Sequence, residues 1–284
     1  MILIDMNQIM ISNLMVQLKN DALNEKLARH MVLTSLLSYE KQYAEEYGEI
    51  VLAYDSKHYW RREVFPYYKQ NRKKDREKSN HDWNNIFEVL NKIRDEIKNY
   101  FPYKVVEVYG AEADDVISTL CKNKGAYPVL ILSGDKDFIQ LQKYPGVKQL
   151  NPIMKKEVSH DNPYVFIKEH ILKGDKSDGI PNYLSSDDTF VSGVRQKPIS
   201  KKNLDKWVDQ DPSVFCTTPE LQKNYYRNRQ LIDFDYVPSE IEKKIMEEYT
   251  SLNNIEKKVP LEYFRDHQLS DLMEAYYFRN KINF

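Results

Sequence analysis

The chain has 284 residues, of which 41% are hydrophobic and 30% charged, and its formal net charge is −1. This length suits one large domain or two smaller ones, and the composition is typical of a soluble globular protein. With only Cys121 and Cys216 and no apolar run near the roughly 18 residues that span a bilayer, we expect no disulfide framework, no thiolate zinc site and no membrane contact. A reducing cytoplasm is the compartment that fits.

Short apolar runs of strand type occur at residues 2–4, 50–54, 104–109 and 128–133. Segments with helical spacing separate them. We predict that Gly48 ends the first helix, that Ser79 caps the second, and that Gly125 ends the third. Strands that alternate with helices indicate an α/β fold with a central, mainly parallel sheet flanked by helices.

From about residue 161 the strand signal fades, and residues 163–174, 219–232 and 239–252 read as helices. We therefore predict two domains: residues 1–160 as the α/β core and residues 161–284 as a smaller C-terminal helical domain. The aromatic tail after residue 258 is expected to pack on this helical region.

Acidic residues follow all four predicted strands, and ligands of open α/β sheets bind beyond the carboxyl ends of the strands. Crowded carboxylates repel, and oxygen ligands without His or Cys select Mg²⁺ or Mn²⁺. For any single acid, a role in a loop or a helix cap is the simpler reading, and Asp115 could be only a first-turn acid that the helix dipole favours. The acids are Asp5, Asp55, Glu112, Asp114, Asp115, Asp135 and Asp137. As a set they predict a divalent metal site.

Two further sequence features support this site. Asp175 and Asp178 in "LKGDKSDGIPN" are three residues apart and could face one point. Residues 57–78 contain nine Lys or Arg against three acids, with aromatic residues between them. This composition is expected of a surface that neutralises phosphates and stacks bases, although a solvated helix face would explain part of it.

The order Asp5, Asp55, "EADD", "SGDKDF" and "GDKSDGIPN" resembles the 5′ nuclease family of flap endonucleases and the 5′ nuclease domains of bacterial DNA polymerases. Further stretches such as "YWRREVFPYYKQNRKK", "KYPGVKQLNP" and "LIDFDYVP" extend the similarity from residue 1 to about residue 240. The resemblance implies a PIN-like nuclease core that holds two Mg²⁺ ions, with Mn²⁺ as a substitute. Two such ions about 4 Å apart can activate a water and stabilise the leaving 3′ oxygen of a phosphodiester.

The resemblance also implies residue roles. It assigns the first metal to Asp5, Asp55, Glu112, Asp114 and Asp135, and the second to Asp137, Asp175 and Asp178, with Asp115 in indirect contact. Residues 57–80 would form a basic arch over the site, in which Lys69 and Arg72 hold the scissile phosphate and Tyr68 stacks on a base. No protein nucleophile or histidine base is expected near the acids, and the six histidines are read as structural or surface residues.

Other basic side chains are predicted to contact nucleic acid: Arg61, Arg62, Lys73, Lys74, Arg195, Lys197, Lys201 and Lys202. For those after residue 190, loop solubility is an equally good reading. After "DGIPN" the chain lacks the glycine-rich turn that the family usually has, so a K⁺ ion there is not expected.

The resemblance implies a monomeric, phage-encoded, structure-specific 5′ nuclease with ribonuclease H, 5′ to 3′ exonuclease and flap endonuclease activity in the host cytoplasm. It would remove RNA primers from lagging-strand fragments on a DNA duplex with a 5′ flap or on an RNA–DNA hybrid, together with the single-strand DNA-binding protein and other replication proteins. A PIN-type single-strand ribonuclease and a non-catalytic DNA-binding accessory protein of replication remain as alternatives.

Overall fold

The computed structural model describes residues 1–18, 22–253 and 257–279, and their side chains except those of residues 73–75, 278 and 279. The strands are β1 (Ile2–Asp5), β2 (Ile50–Ala53), β3 (Lys104–Val106), β4 (Val129–Leu132), β5 (Val147–Asn151) and β6 (Lys156–Glu157). They form one sheet in the order β3-β2-β1-β4-β5-β6. All neighbours are parallel except β5 and β6. The predicted α/β fold with a mainly parallel central sheet is confirmed.

Thirteen helices are described: α1 (Met6–Leu18), α2 (Glu25–Tyr47), α3 (Arg61–Val64), α4 (Gln70–Glu77), α5 (Trp83–Tyr100), α6 (Ala113–Lys122), α7 (Pro163–Lys173), α8 (Lys201–Val208), α9 (Pro212–Phe215), α10 (Pro219–Ile232), α11 (Ser239–Ser251), α12 (Leu261–Asp266) and α13 (Ser270–Arg279). Two 3₁₀ segments, Lys136–Lys143 and Phe234–Tyr236, complete them. No helix of the described residues is long and apolar enough to cross a membrane.

Apolar side chains cover both faces of the sheet, because successive residues of a strand point to opposite faces. Leu3 and Val51 pack in one cluster with α6 and α11, whereas Ile2 and Ile4 pack in the other with α1, α2 and α5. The result is a sheet between two helical layers, which leaves the carboxyl ends of the parallel strands as the open edge.

Helices α7 to α10 build a third cluster of their own. Phe65 and Tyr68 of the basic segment belong to this cluster, so the base of the predicted arch packs against the C-terminal helices. The tail behaves differently from the expectation. Helices α12 and α13 pack against α2 and α5, where Phe264 and Tyr276 contact Phe101. The division at residue 160 stays a prediction, since α11 to α13 lie on the two layers of the sheet.

Several boundaries differ from those predicted. The cap of α5 is Asp82, whose carboxylate accepts hydrogen bonds from two backbone amides, and not Ser79. Helix α6 ends at Lys122 with Asn123 as its cap, before Gly125. Gly48 does end α2, at φ 84°, a conformation that favours glycine. Strand β5 was not predicted because polar residues interrupt the apolar ones in "VKQLN", and β6 was not predicted because "KE" is short and charged, as strands towards a sheet edge often are.

Candidate functional site

A groove of about 830 Å³ opens at the carboxyl ends of β1, β2 and β4. Asp5 is the last residue of β1, while Asp55 and Asp135 follow β2 and β4 within three residues. The seven predicted metal-ligand acids that line the groove are Asp5, Asp55, Asp114, Asp135, Asp137, Asp175 and Asp178. Strand order places this groove where β1 lies between β2 and β4, the reversal point at which α/β sheets bind ligands.

Backbone amides and small polar side chains orient these acids. Asp5 accepts hydrogen bonds from the Gln8 amide (3.1 Å) and from the Ser133 hydroxyl (3.2 Å). Asp55 accepts one from the Ala113 amide at the start of α6 (2.7 Å). These contacts orient the carboxylates but supply no positive charge.

Burial together with mutual repulsion raises several pKa values in the groove. The pKa of Asp5 rises to about 7 because the side chain is buried and faces Asp55. That of Asp137 rises to about 8, again mainly through burial. Burial and the proximity of Asp135 raise the pKa of Asp114 well above its ordinary value. Without a cation this group of acids therefore retains protons near neutral pH, and a divalent cation would favour their ionised form.

Arg61 is not a surface cation. Its side chain is 2% exposed, and its guanidinium pairs with Glu112 (2.8 Å) and Asp115 (2.8 Å) while it donates to the Leu231 carbonyl. The prediction that Arg61 contacts nucleic acid is wrong, because the group neutralises two buried carboxylates. Asp115 itself is fully buried, and its carboxylate accepts a hydrogen bond from the backbone amide of Glu112 at the start of α6, so its indirect contact with a metal stays a prediction.

Tyr68 and Lys69 also point inward. The Tyr68 ring is 2% exposed, and its hydroxyl donates to Asp178 (2.8 Å) and Glu112 (3.1 Å). A ring so enclosed cannot stack on a base in this conformation, which corrects the predicted role. The Lys69 ammonium lies 2.6 Å from Glu112 and 3.7 Å from Asp178. Lys69 and Arg61 hold the pKa of Glu112 below its ordinary value despite its burial.

The backbone at Lys69 is strained. Its φ of 57° lies in the left-handed region, which non-glycine residues rarely adopt and which clusters at functional sites. Its amide donates to the carbonyl of Asp178 (2.8 Å), and the Asn71 side chain donates to the carbonyl of Lys176 (2.9 Å). The arch base therefore rests on the loop that carries the last two acids.

Arg72 is bound to the same loop, through a 2.5 Å ion pair with Asp178. Gly174, which precedes this loop, adopts φ 67°, and an added Cβ would lie 2.4 Å from the carbonyl oxygen of Ile180. Only glycine fits there, so "KGD" sets the path of the loop.

Cations and aromatic side chains line the same groove as the acids. Arg62 lies over the Tyr59 ring, with its guanidinium 4.5 Å from the ring centroid. Phe87 and Arg94 of α5 also line the groove, although neither was predicted as a site residue. Their spacing of seven residues, which places them on one helix face, was the available signal.

The remaining predicted nucleic-acid contacts lie elsewhere. The side chains of Lys73 and Lys74 fall outside the described residues. The other four basic residues are exposed, and none of them lines the groove: Arg195, Lys197, Lys201 and Lys202. Their contact with nucleic acid stays a prediction.

A histidine lies beside the acids, contrary to the expectation. The Nε2 atom of His170, in the last turn of α7, is 3.6 Å from an oxygen of Asp137 and 3.5 Å from one of Asp175. Against the effect of burial, these acids raise the pKa of His170. His170 and Ser177 hold the pKa of Asp175 below its usual range. Sequence offered one clue, since His170 stands five residues before Asp175.

Two protein families match this chain, one in its N-terminal part and the other in its C-terminal part. Residues 1–170 match the family described as "5'-3' exonuclease, N-terminal resolvase-like domain". Residues 162–277 match "T4 RNase H, C terminal".

Individual relatives agree with these matches. The ribonuclease H of Enterobacteria phage T4 is 37% identical over 262 residues, which cover 88% of this chain and 86% of that protein. The 5'-3' exonuclease of Buchnera aphidicola is 33% identical over 47% of each chain.

Among solved structures, the T5 D15 protein co-crystallised with metal ions has a TM-score of 0.63 at 16% identity and covers 89% of this chain and 99% of its own. The T5 D15 flap endonuclease in a pseudo-enzyme-product complex with DNA and metal ions has a TM-score of 0.62 at 16% identity, over 88% of this chain and 98% of that one. At such low identity these two structures support the fold alone.

Proposed function

Because this chain belongs to the 5′-3′ exonuclease family, a family of phosphodiester hydrolases, we propose that it is a structure-specific 5′ nuclease that depends on two divalent metal ions. The observation that carries the proposal is the groove itself, which is lined by seven carboxylates together with basic and aromatic side chains. A protein that only bound nucleic acid would gain nothing from buried acids turned towards phosphates.

The residues present fit two divalent cations. Nine carboxylates lie in or beside the groove, and Arg61, Lys69 and Arg72 are the permanently charged cations that pair with them. Among the described side chains, six of these carboxylates have no such partner, and two divalent ions would bring four positive charges to them. Oxygen ligands of this kind suit Mg²⁺, with Mn²⁺ as a substitute. When bound, such ions supply an activated water and stabilise charge on the leaving oxygen.

Lys69 and Arg72 are our candidates for holding the scissile phosphate. Each is paired with a carboxylate that is also a predicted metal ligand, Glu112 for Lys69 and Asp178 for Arg72. Cation and metal therefore compete for the same oxygens. A phosphate offers both side chains an alternative partner of the same charge, and it can bind Arg72 through two parallel hydrogen bonds.

The cationic and aromatic residues of the groove suit a single strand that leads away from the cut. Arg62, Arg76 and Arg94 can neutralise backbone phosphates, and Phe87, which is 37% exposed, offers a face for a base. We propose that the preferred substrates are a DNA duplex with a 5′ flap and an RNA–DNA hybrid. These substrates imply that the protein acts during phage replication as a monomer in the host cytoplasm. Its role there would be to remove RNA primers from lagging-strand fragments. The similarity to the phage T4 ribonuclease H supports it.

The test compares three labelled substrates with and without Mg²⁺: a duplex whose 5′ segment is RNA joined to DNA, a duplex with a 5′ DNA flap, and free single-stranded RNA. We expect short 5′ products from the first two only when Mg²⁺ is present, and none from an Asp135→Asn control. Faster cleavage of the free RNA would favour a PIN-type ribonuclease. Tight binding without cleavage, in Mg²⁺ or Mn²⁺, would refute the nuclease and favour a replication accessory protein.

A further inference from the structure

His170 introduces a nitrogen atom into a site that the family resemblance composes of carboxylates alone. It lies in the last turn of α7, a helix that packs against the 3₁₀ segment containing Asp137. The ring is held by contact with Phe166, at 5.9 Å between centroids, and the Gly174 amide donates to the His170 carbonyl (2.8 Å). The imidazole is therefore positioned by its helix and directed at the acids.

Its Nε2 atom has no hydrogen-bond partner among the described residues, although the atom is shielded from solvent. The oxygens of Asp137 and Asp175 are 3.6 and 3.5 Å away, beyond the 2.7–3.2 Å range usual for hydrogen bonds between nitrogen and oxygen. The imidazole is thus within ion-pair distance of both carboxylates but forms a direct hydrogen bond with neither among the described residues.

A shared cation accounts for these distances. Two ligand atoms that each lie about 2.1 Å from one metal ion are separated by roughly 3.0 Å at a right angle and roughly 3.4 Å at a tetrahedral angle. The two His170 distances are close to the upper value. One atom from each of Asp137, His170 and Asp175 can be chosen so that all three lie within 4.8 Å of one another.

We propose that His170 is a ligand of the second metal ion, together with Asp137 and Asp175, and that this makes the second site a mixed nitrogen and oxygen site. The inference rests on the proposed function, because it assumes that the groove binds metal. A neutral imidazole favours Mn²⁺, Co²⁺ and Zn²⁺ over Mg²⁺ more than a carboxylate does. The two sites of this chain should consequently differ in metal preference: the first, composed of carboxylates, suits Mg²⁺, and the second accepts transition metals more tightly.

The test measures binding directly and uses no nucleic acid. Metal-free full-length protein is loaded with Mn²⁺, and pulsed electron paramagnetic resonance is used to detect coupling between bound Mn²⁺ and an imidazole nitrogen. We expect coupling in the wild-type protein and in His81→Gln, which removes an exposed histidine that does not line the groove. In His170→Gln the coupling should disappear while Mn²⁺ remains at the first site. Calorimetry should show that Co²⁺ binds His170→Gln at least about 10- to 100-fold more weakly than it binds the wild type. That is the loss of affinity expected when only an outer-sphere partner is removed, and a direct ligand should matter no less.

A second measurement needs no substitution at His170, in case that variant folds poorly. When the wild-type protein carries ¹⁵N-labelled histidine, its spectrum should show the ¹⁵N coupling pattern in place of the ¹⁴N pattern. No histidine coupling in the wild type, or coupling that persists in His170→Gln, would overturn the inference. Cleavage of the flap substrate without coupling would leave the proposed function standing and reject this ligand. Coupling without cleavage would support His170 as a ligand and reject the proposed nuclease function.

Discussion

Replacing Arg61 by methionine should destabilise the protein severely without a direct effect on nucleic-acid affinity. Methionine keeps much of the aliphatic volume but removes the guanidinium that pairs with Glu112 and Asp115, which are 1% and 0% exposed. It also leaves the Leu231 carbonyl without the hydrogen bond from the Arg61 Nε atom. Two buried carboxylates then lose their common partner.

The expected cost follows from this geometry. Removing one partner of a buried ion pair destabilises by about 3–5 kcal/mol, and the whole free energy of unfolding of a domain is about 5–15 kcal/mol. With a urea slope of about 3 kcal/mol/M, the unfolding midpoint should fall by about 1 to 2 M. Urea unfolding monitored by circular dichroism, in chelator, measures the change.

The chain provides its own matched control in the next residue. Arg62→Met removes an exposed guanidinium from the groove, so it should change the free energy of unfolding by less than about 0.5 kcal/mol while weakening DNA binding. The double variant Arg61→Met with Asp115→Asn should recover part of the loss, since one unpaired charge is gone. An unchanged urea midpoint in Arg61→Met together with weakened DNA binding would show that the side chain faces nucleic acid after all.

Three further predictions concern the acids and Lys69. Asp135→Asn should nearly abolish cleavage while leaving DNA binding equal or tighter, because it removes repulsion along with a ligand; weaker binding at unchanged turnover would contradict this. Lys69→Ala should lower the single-turnover cleavage rate far more than the DNA affinity, and an equal loss in both would make Lys69 a general phosphate contact. In chelator, thermal stability should fall as the pH rises from 5.5 to 8.5. The folded protein holds protons on Asp5 and Asp137 up to about pH 7 and 8, whereas an unfolded aspartate releases its proton near pH 4. The contribution of these two groups to folding stability is therefore lost as the pH rises through their pKa values in the folded protein. Mg²⁺ should raise the melting temperature most at pH 8.5, and stability that increases with pH in chelator would refute the reasoning.

The fold was largely predictable because its signals are local. Apolar runs marked β1 to β4, and helical spacing with caps such as Gly48 marked most of the long helices. Strands β5 and β6 escaped because polar residues interrupt β5 and make up β6, and because β5 is defined by its pairing with residues 129–132 on one side and residues 156–157 on the other. The packing of α13 on α5 escaped for the same reason, since aromatic residues in a tail do not reveal which layer they cover.

The site, like the fold, was predictable from the sequence only in part. An acid after each strand could be read from the sequence, because parallel strands deliver their carboxyl ends to one edge, and the structure collects five of these acids in one groove together with Asp175 and Asp178. Charge alone could not say which cations face out. Arg61 and Arg62 are neighbours in one basic run, yet the first neutralises buried acids and the second lines the groove.

Sequence by itself thus determined the α/β order of elements and the residue types that converge at the sheet edge, since both depend on periodicity and on the chain direction of parallel strands. Tertiary structure alone decided that Arg61 and Tyr68 are buried, that Lys69 rests on Glu112, and that His170 joins the acids. Each of these facts depends on which side of a helix faces inward and on contacts between distant segments. Arg61 and Lys69 reach acids more than 40 residues away, and His170 reaches Asp137 and Asp175, which are 33 and 5 residues away. Burial and distance set the charge state and the partner of a side chain, and neither is a property of its position in the sequence.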